Sequence, residues 1–178
     1  YAIAKIAGIK MCQSFNKQYN TDYRAVMPTN LYGTNDNYDP SNSHVLAALT
    51  KKILIAKKQN KKTVTVWGNG KAKREFLHVD DFAKASIKTM SISKKKFRNI
   101  CGEENHFINV GYGKEINIKD LALLIADIVN YKGKFIYDRS KPNGTMRKLI
   151  DSSKIFRLNW KPKISLKSGI KLIVQELI

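Results

Sequence analysis

An α/β fold is predicted by three features of the sequence: short segments rich in β-branched and aromatic residues, longer segments whose apolar residues recur at helical spacing, and the alternation of the two along the chain. With 178 residues, 43% hydrophobic and 26% charged, the chain can bury a sizeable core. No stretch of linker composition divides it, and it contains no internal repeat.

The first element is a helix over residues 1–19, where Ile3, Ile6, Ala7, Met11, Cys12 and Phe15 recur at helical spacing without an interrupting Pro. Asn20-Thr21-Asp22 ends it. Residues 23–27 read as a short buried strand running into Pro28-Thr29-Asn30-Leu31-Tyr32-Gly33. Residues 35–42, rich in Asn, Asp, Ser and Pro, form a loop. Ser41 or Ser43 can cap a second helix over about residues 44–58, with Val45, Leu46, Leu49, Ile53, Leu54 and Ile55 on its apolar side. Thr63-Val64-Thr65-Val66-Trp67 is a strand, Gly68-Asn69-Gly70 a turn, and residues 74–79 a second extended segment. Asp80 or Asp81 begins a helix to about residue 90, and the polar run 91–104 reads as a surface excursion. Residues 106–110 form a strand that ends in the turn Gly111-Tyr112-Gly113. Asn117 caps a helix over 118–129, whose Leu121, Leu124, Ile125 and Ile128 form one stripe. A short strand at 134–137, a Pro/Gly loop at 141–147, a short helix opened by Asp151 or Ser152 and a helix over 166–177 complete the chain.

The formal net charge of +19 raises the question of a polyanionic partner. Of the 33 basic residues only 6 are Arg, and the lysine clusters at 51–52, 57–58, 61–62 and 94–96 hold no Arg forks or interleaved aromatics. Nucleic acid is therefore disfavoured as the primary ligand, and solvated lysine faces account for most of the charge. The apolar stretches 121–125 and 170–174 fall far short of the roughly 20 residues that cross a bilayer, so a soluble protein is expected. Two cysteines, Cys12 and Cys101, match no metal knuckle and are too few for a disulfide scaffold; no metal is expected, and a reducing, cytoplasmic compartment is. The chain opens on Tyr rather than Met and with no visible signal peptide, which fits a truncated start.

On a helix, Tyr1 and Lys5 stand at i and i+4, so phenol and ammonium share one face. A cation beside a phenol favours the phenolate and tunes a general acid able to protonate a carbonyl oxygen during hydride delivery. His44, in the first turn of the second helix, sits by the positive end of a helix dipole, which suits a proton acceptor. His78 and His106 lie in hydrophobic strand patterns and read as hydrogen-bonded core residues. Gly111-Tyr112-Gly113 is the nearest approach to a phosphate-binding Gly-x-Gly-x-x-Gly turn, but Ile116 replaces the third glycine, so a plain strand-to-helix turn is expected.

Four blocks, Tyr1-Ala-Ile-Ala-Lys5-Ile-Ala-Gly-Ile-Lys-Met-Cys12, Met27-Pro-Thr-Asn-Leu-Tyr-Gly33, Pro40-Ser-Asn-Ser-His44-Val45 and Arg74-Glu-Phe-Leu-His-Val-Asp-Asp81, resemble in order and spacing the GDP-L-fucose synthases, a family of extended short-chain dehydrogenases. The resemblance continues through Ile108-Asn-Val-Gly111 and Ser140-Lys-Pro-Asn-Gly-Thr145, and so covers essentially the whole chain. It implies the end of a Rossmann-type sheet plus the smaller substrate-binding α/β region. The dinucleotide-binding part, the serine partner of Tyr1 and a second epimerisation residue, a cysteine, would all lie upstream; Cys12 is not that cysteine.

By resemblance the full-length enzyme acts on GDP-4-keto-6-deoxy-D-mannose, epimerising C3 and C5 and reducing C4 with NADP(H), as a homodimer joined through helices that include the Tyr1 helix. Tyr1 would donate a proton to the C4 oxygen, Lys5 would hold the nicotinamide ribose, and Pro28, Thr29, Asn30 and Leu31 would border the nicotinamide. His44 would contact the cofactor end and act as an acid/base group. Lys52 and Arg74 would meet the diphosphate, Trp67 would pack near the nucleotide, and Lys134 would complete the pocket. Family members commonly carry Asp where this chain has Asn143, which puts a role for that position in doubt. The alternatives are another NAD(P)-dependent nucleotide-sugar epimerase or dehydratase, and a basic nucleic-acid-binding module. Alone, the chain is expected to show little or no turnover.

Overall fold

Helix α1 (Ala2–Tyr19) stops where Asn20 adopts a left-handed φ of 49°, a conformation Asn tolerates better than most residues. In the computed structural model, which describes residues 1–39, 42–103 and 105–178, it is followed by β1 (Ala25–Pro28), β2 (Asn30–Tyr32), α2 (Val45–Lys58), β3 (Thr63–Trp67), β4 (Lys73–His78), α3 (Val79–Ser91) and α4 (Lys94–Cys101). Then come β5 (Phe107–Val110), β6 (Glu115–Asn117), α5 (Ile118–Val129), β7 (Lys134–Asp138), β8 (Arg147–Lys148), α6 (Ser153–Phe156) and α7 (Leu166–Leu177). The expected α/β class is borne out. β1 pairs in parallel with β5, and β3 in parallel with β7. β4 lies between β2, parallel, and β6, antiparallel, and also pairs with β8.

The β2–β4 pair is a partition. Successive strand residues point to opposite faces, so Phe76 and Tyr32 join a core built on α2, α5 and α7 (Leu46, Ile53, Leu121, Ile125, Ile170, Ile173). Leu77, one residue on, enters a second core with Phe97, Ile108, Val110, Ile155 and Leu158, against which Leu31 packs.

Several local expectations are corrected. The polar run 91–104 contains α4, capped by Ser93 Oγ accepting from Lys96 N at 3.2 Å. Its buried residues, Phe97 and Cys101, share a face with half-buried Ile100 at i, i+4 and i+3, a one-turn helical stripe inside an otherwise polar run; burial pushes the Cys101 thiol up from its ordinary value. The N-cap of α2 is His44, which forms no side-chain cap bond. Of the expected caps, Ser43 has a buried hydroxyl without a partner among the described residues; Ser41, with Pro40, lies outside them. α3 begins not at an aspartate but at His78, whose Nδ1 accepts from Asp80 N at 3.2 Å. Asp81 is buried and accepts instead from Lys163 N and Ile164 N at 2.9 and 2.8 Å, holding the approach to α7. Strand β1 is half-buried rather than buried, because β5 is its only partner among the described residues. The apolar stripe of α1 is also uncovered: Ile3, Ile6, Met11 and Phe15 are exposed, and the one buried residue of the helix is Asn16.

Candidate active site

Phenol and ammonium meet at the start of α1. Lys5 Nζ lies 5.2 Å from the Tyr1 ring centroid, and Lys5 N donates to Tyr1 O at 3.2 Å, closing the first helical turn. The Tyr1 side chain takes no part in capping and is 95% exposed, so its hydroxyl is available to a ligand.

The segment 28–31 is where the chain changes partners, leaving β5 and joining β4. Thr29 N donates to Val110 O at 3.1 Å on one side. On the other, Thr29 Oγ1 and Asn30 Nδ2 donate to Glu75 O at 3.2 and 2.8 Å. Pro28 is exposed at the carboxyl end of β1, the strand end at which open α/β sheets receive ligands. His44 is exposed at the start of α2. No hydrogen bond, ion pair or ring contact among the described residues joins His44 to Tyr1, Lys5 or residues 28–31.

A second group gathers around Trp67, 57% exposed at the end of β3. Lys52 Nζ and Lys141 Nζ stand 5.0 and 5.8 Å from its ring centroid, within cation–π range. The next residue, Gly68, has φ +77°, and a Cβ on it would meet Asn143 Oδ1 at 2.5 Å. That oxygen accepts from Asn69 N at 2.7 Å. Asn143 therefore has a definite place: it clamps the Pro/Gly loop to the 68–70 turn, beside a cleft of about 310 Å³ lined by Asn69, Lys71, Arg139 and Asn143.

Arg74 lies against the same loop, its Nη2 3.3 Å from where a Gly144 Cβ would stand, and pairs in register with Lys148 on β8. Lys148 carries no signal in the sequence, because a two-residue strand after a loop has no periodicity. Lys73 and Arg147 are neutralised by Glu115, at 3.1 and 2.7 Å; the Arg147 bond and then Lys73 hold its carboxyl below the usual range. Arg74, Lys148, Lys52, Lys141 and Arg139 have no such acidic partner in hydrogen bond or ion pair among the described residues. The region therefore keeps a positive surplus suited to phosphate oxygens.

Lys134, expected to complete this pocket, is separated from it. It pairs with Thr63 at the opposite end of the β3–β7 ladder from Trp67, roughly 13 Å away at about 3.3 Å per residue. There it lines a different cavity with Lys57, Lys61, Lys62 and Tyr131.

Glu75 connects the two groups. It is fully buried, and its carboxyl oxygens accept from Gly113 N at 2.6 Å and Ile150 N at 3.3 Å, while its main-chain oxygen holds Thr29 and Asn30. The close approach of the 111–113 turn needs a glycine: a Cβ on Gly111 would stand 2.5 Å from Glu75 Oε1 and 2.8 Å from Ser152 Oγ. With the Gly113 N–H spent on a carboxyl group, this turn is no phosphate cradle, as its sequence implies.

The family model described as NAD dependent epimerase/dehydratase family matches residues 1–111, from Tyr1 to the Gly111 turn. The chain belongs to that family. This epimerase/dehydratase chain is 51% identical over 170 residues to the GDP-L-fucose synthase of Escherichia coli (strain K12), covering 96% of this chain and 53% of that protein. Its fold is similar to that of a GDP-6-OMe-4-keto-L-xylo-heptose reductase from C. jejuni, with TM-score 0.87, 37% identity, and 98% and 59% of the two chains covered. It is similar also to a GDP-L-fucose synthetase from Naegleria fowleri bound to NADP, with TM-score 0.84, 30% identity and coverage of 98% and 54%. The chain spans about half the length of the curated relatives it matches.

Proposed function

We propose that this chain is the carboxy-terminal, substrate-binding portion of an enzyme that makes GDP-L-fucose, epimerising C3 and C5 of GDP-4-keto-6-deoxy-D-mannose and reducing C4 in an NADPH-dependent step. The observation that carries the reading is the 51% identity to the E. coli synthase, sustained over 96% of the chain.

The residues present fit the nicotinamide end of the cofactor. Tyr1 and Lys5 offer a free phenol and ammonium on one helical face, and Pro28 is open at a carboxyl strand end. Thr29 Oγ1 and one Nδ2 proton of Asn30 are given to Glu75 O, which fixes both side chains as they shape the crevice with Leu31. When bound, NADPH supplies the hydride for the reduction. Tyr1 gives its proton to the C4 oxygen, and Lys5 holds the ribose. His44 exchanges protons at the epimerised carbons, opposite a partner contributed by an upstream half. Arg74 and Lys148 take the diphosphate, with Lys52 behind them, and Trp67 offers its exposed ring to the nucleotide. The exposed stripe Ile3, Ile6, Met11 and Phe15 on α1 is the face we assign to a homodimer. Two free cysteines accord with a cytoplasmic setting.

The decisive test is a chimera that joins the upstream half of the E. coli synthase to Tyr1. It should turn over GDP-4-keto-6-deoxy-D-mannose with NADPH to GDP-L-fucose, while the chain alone should show little or no turnover. A folded chimera that binds NADPH but forms a different sugar, or none, overturns the substrate assignment. The chain alone can be asked about GDP. Trp160 is buried, so quenching by GDP should report on Trp67, and Lys52→Ala with Arg74→Ala should weaken binding about tenfold or more. Quenching that survives Trp67→Phe would place GDP elsewhere.

A further inference from the structure

Beside the Phe15–Tyr23 ring contact at 6.1 Å, helix α1 makes one buried contact with the rest of the molecule, and it is polar. Asn16, 4% exposed, is its only buried residue. Asn16 Oδ1 accepts from Tyr23 N at 2.7 Å and from Thr21 Oγ1 at 2.9 Å, and Asn16 Nδ2 donates to Tyr23 O at 2.8 Å. These bonds fix the amide. A flip would set its oxygen against the Tyr23 carbonyl and its NH₂ against the Tyr23 N–H. The second Nδ2 proton then points at His106 Nδ1, 2.9 Å away. That contact is a hydrogen bond only while His106 Nδ1 carries no proton. The Lys94 ammonium, bonded to Asn20 O and Oδ1 at 3.2 and 2.9 Å, holds the residue after the helix rather than its body.

We propose that Asn16 and His106 form a pH-sensitive latch that fixes α1 on the edge of β5, closed while His106 is neutral and released when it takes up a proton. Where the consequence concerns Tyr1 and Lys5, it rests on their assignment above: His106 is a positioning residue for the helix that carries them.

The surroundings favour the closed form at neutral pH. Facing His106 are Lys10 and Lys17 from α1, Arg98 and Lys94 from α4, Glu103 after it, and Asp22 from the α1–β1 connection. Asp22 is itself engaged by Arg24 at 2.6 Å. Burial, and then Arg98, hold the imidazole below its ordinary value of 6.5. A base whose pKa falls on folding contributes stability that is present above the unfolded value and is lost as pH drops through the folded one. The latch therefore opens on the acid side of 6.5. Protonation puts an N–H against an amide that cannot turn, and the buried Nδ2 loses an acceptor.

Hydrogen exchange of the α1 amides in this chain, normalised to intrinsic rates, tests the latch. As pH is lowered from about 7.5 to 5, protection of α1 should fall severalfold, because the folded chain binds the His106 proton less readily than the unfolded one, while α5 amides keep theirs. In His106→Asn the side-chain oxygen stands near the Nδ1 position and does not titrate, so α1 should stay protected throughout. Asn16→Leu should lower its protection at every pH and remove the pH dependence. Equal pH dependence in wild type and His106→Asn overturns the proposal. If His106→Asn does not fold, ¹⁵N NMR of the wild-type imidazole decides: an unprotonated Nδ1 at neutral pH with a midpoint below 6.5 supports the latch, and a protonated Nδ1 or a higher midpoint overturns it. Tyr1→Phe should leave this exchange profile unchanged, so failure of the catalytic assignment and failure of the latch are separate results.

Discussion

Tyr1→Phe in the chimera should lower the rate of C4 reduction by about 10²–10⁴-fold, the usual contribution of a positioned general acid. Wash-in of solvent deuterium at C3 and C5 should change by less than about threefold, because those protons are assigned to His44 and its partner. The substitution isolates the hydroxyl: the ring that Lys5 overlies at 5.2 Å is retained, and Tyr1 contributes only its main-chain oxygen to the first helical turn, so helix formation is unaffected. Product analysis should find epimerised but unreduced sugar. Equal loss of both activities would remove the division of roles and point to a general defect in binding.

Glu75→Leu should produce the largest loss of stability of any single change near the site, about 3 kcal/mol or more, read as a fall in the urea midpoint. The side chain is fully buried, and its two oxygens satisfy Gly113 N and Ile150 N. Leucine removes the acceptor from both donors, on exposed Gly113 and half-buried Ile150, at up to about 1–3 kcal/mol each where water does not replace it, and places a branched apolar group beside Gly111 and Ser152 Oγ. Against a total stability of about 5–15 kcal/mol for a domain, that is a large fraction. Glu75→Gln should fall between, since an amide can accept one of the two bonds and opposes the other. An unchanged midpoint in Glu75→Leu would show that the two N–H groups find other acceptors.

The elements that could be read from sequence are those whose pattern is dense. The stripe of Leu121, Leu124, Ile125 and Ile128 behind its Asn117 cap gives α5 at the expected bounds, with Asn117 Oδ1 accepting from Asp120 N at 2.7 Å. The helix over 166–177 is likewise α7. Helix α4 escaped because its i, i+3, i+4 stripe of Phe97, Ile100 and Cys101 is a single turn inside a run that is otherwise polar, and β6 and β8 because strands of three and two residues carry no period. Of the site, the proximity of Tyr1 and Lys5 follows from local spacing, while their role comes from the resemblance of the blocks around them. The contacts that cross long sequence separations do not. Nothing in the order of residues brings Asn143 to Asn69, or Lys148 to Arg74, and the ladder register alone sets Lys134 away from Trp67. The histidine caps were obscured for a related reason. Aspartate is the stronger cap by propensity, but Asp81 is engaged by the chain before α7.

The β2–β4 partition has a mechanical consequence. Arg74, the cation assigned to the diphosphate, is two residues before Phe76 and three before Leu77 on one strand, and those two side chains are embedded on opposite sides of the wall. A load on the guanidinium therefore passes along β4 to side chains seated in both halves of the interior. Occupancy by a nucleotide should stiffen the whole body of the protein together, and an insertion of one residue in β4 would exchange the contents of the two compartments and leave neither able to close.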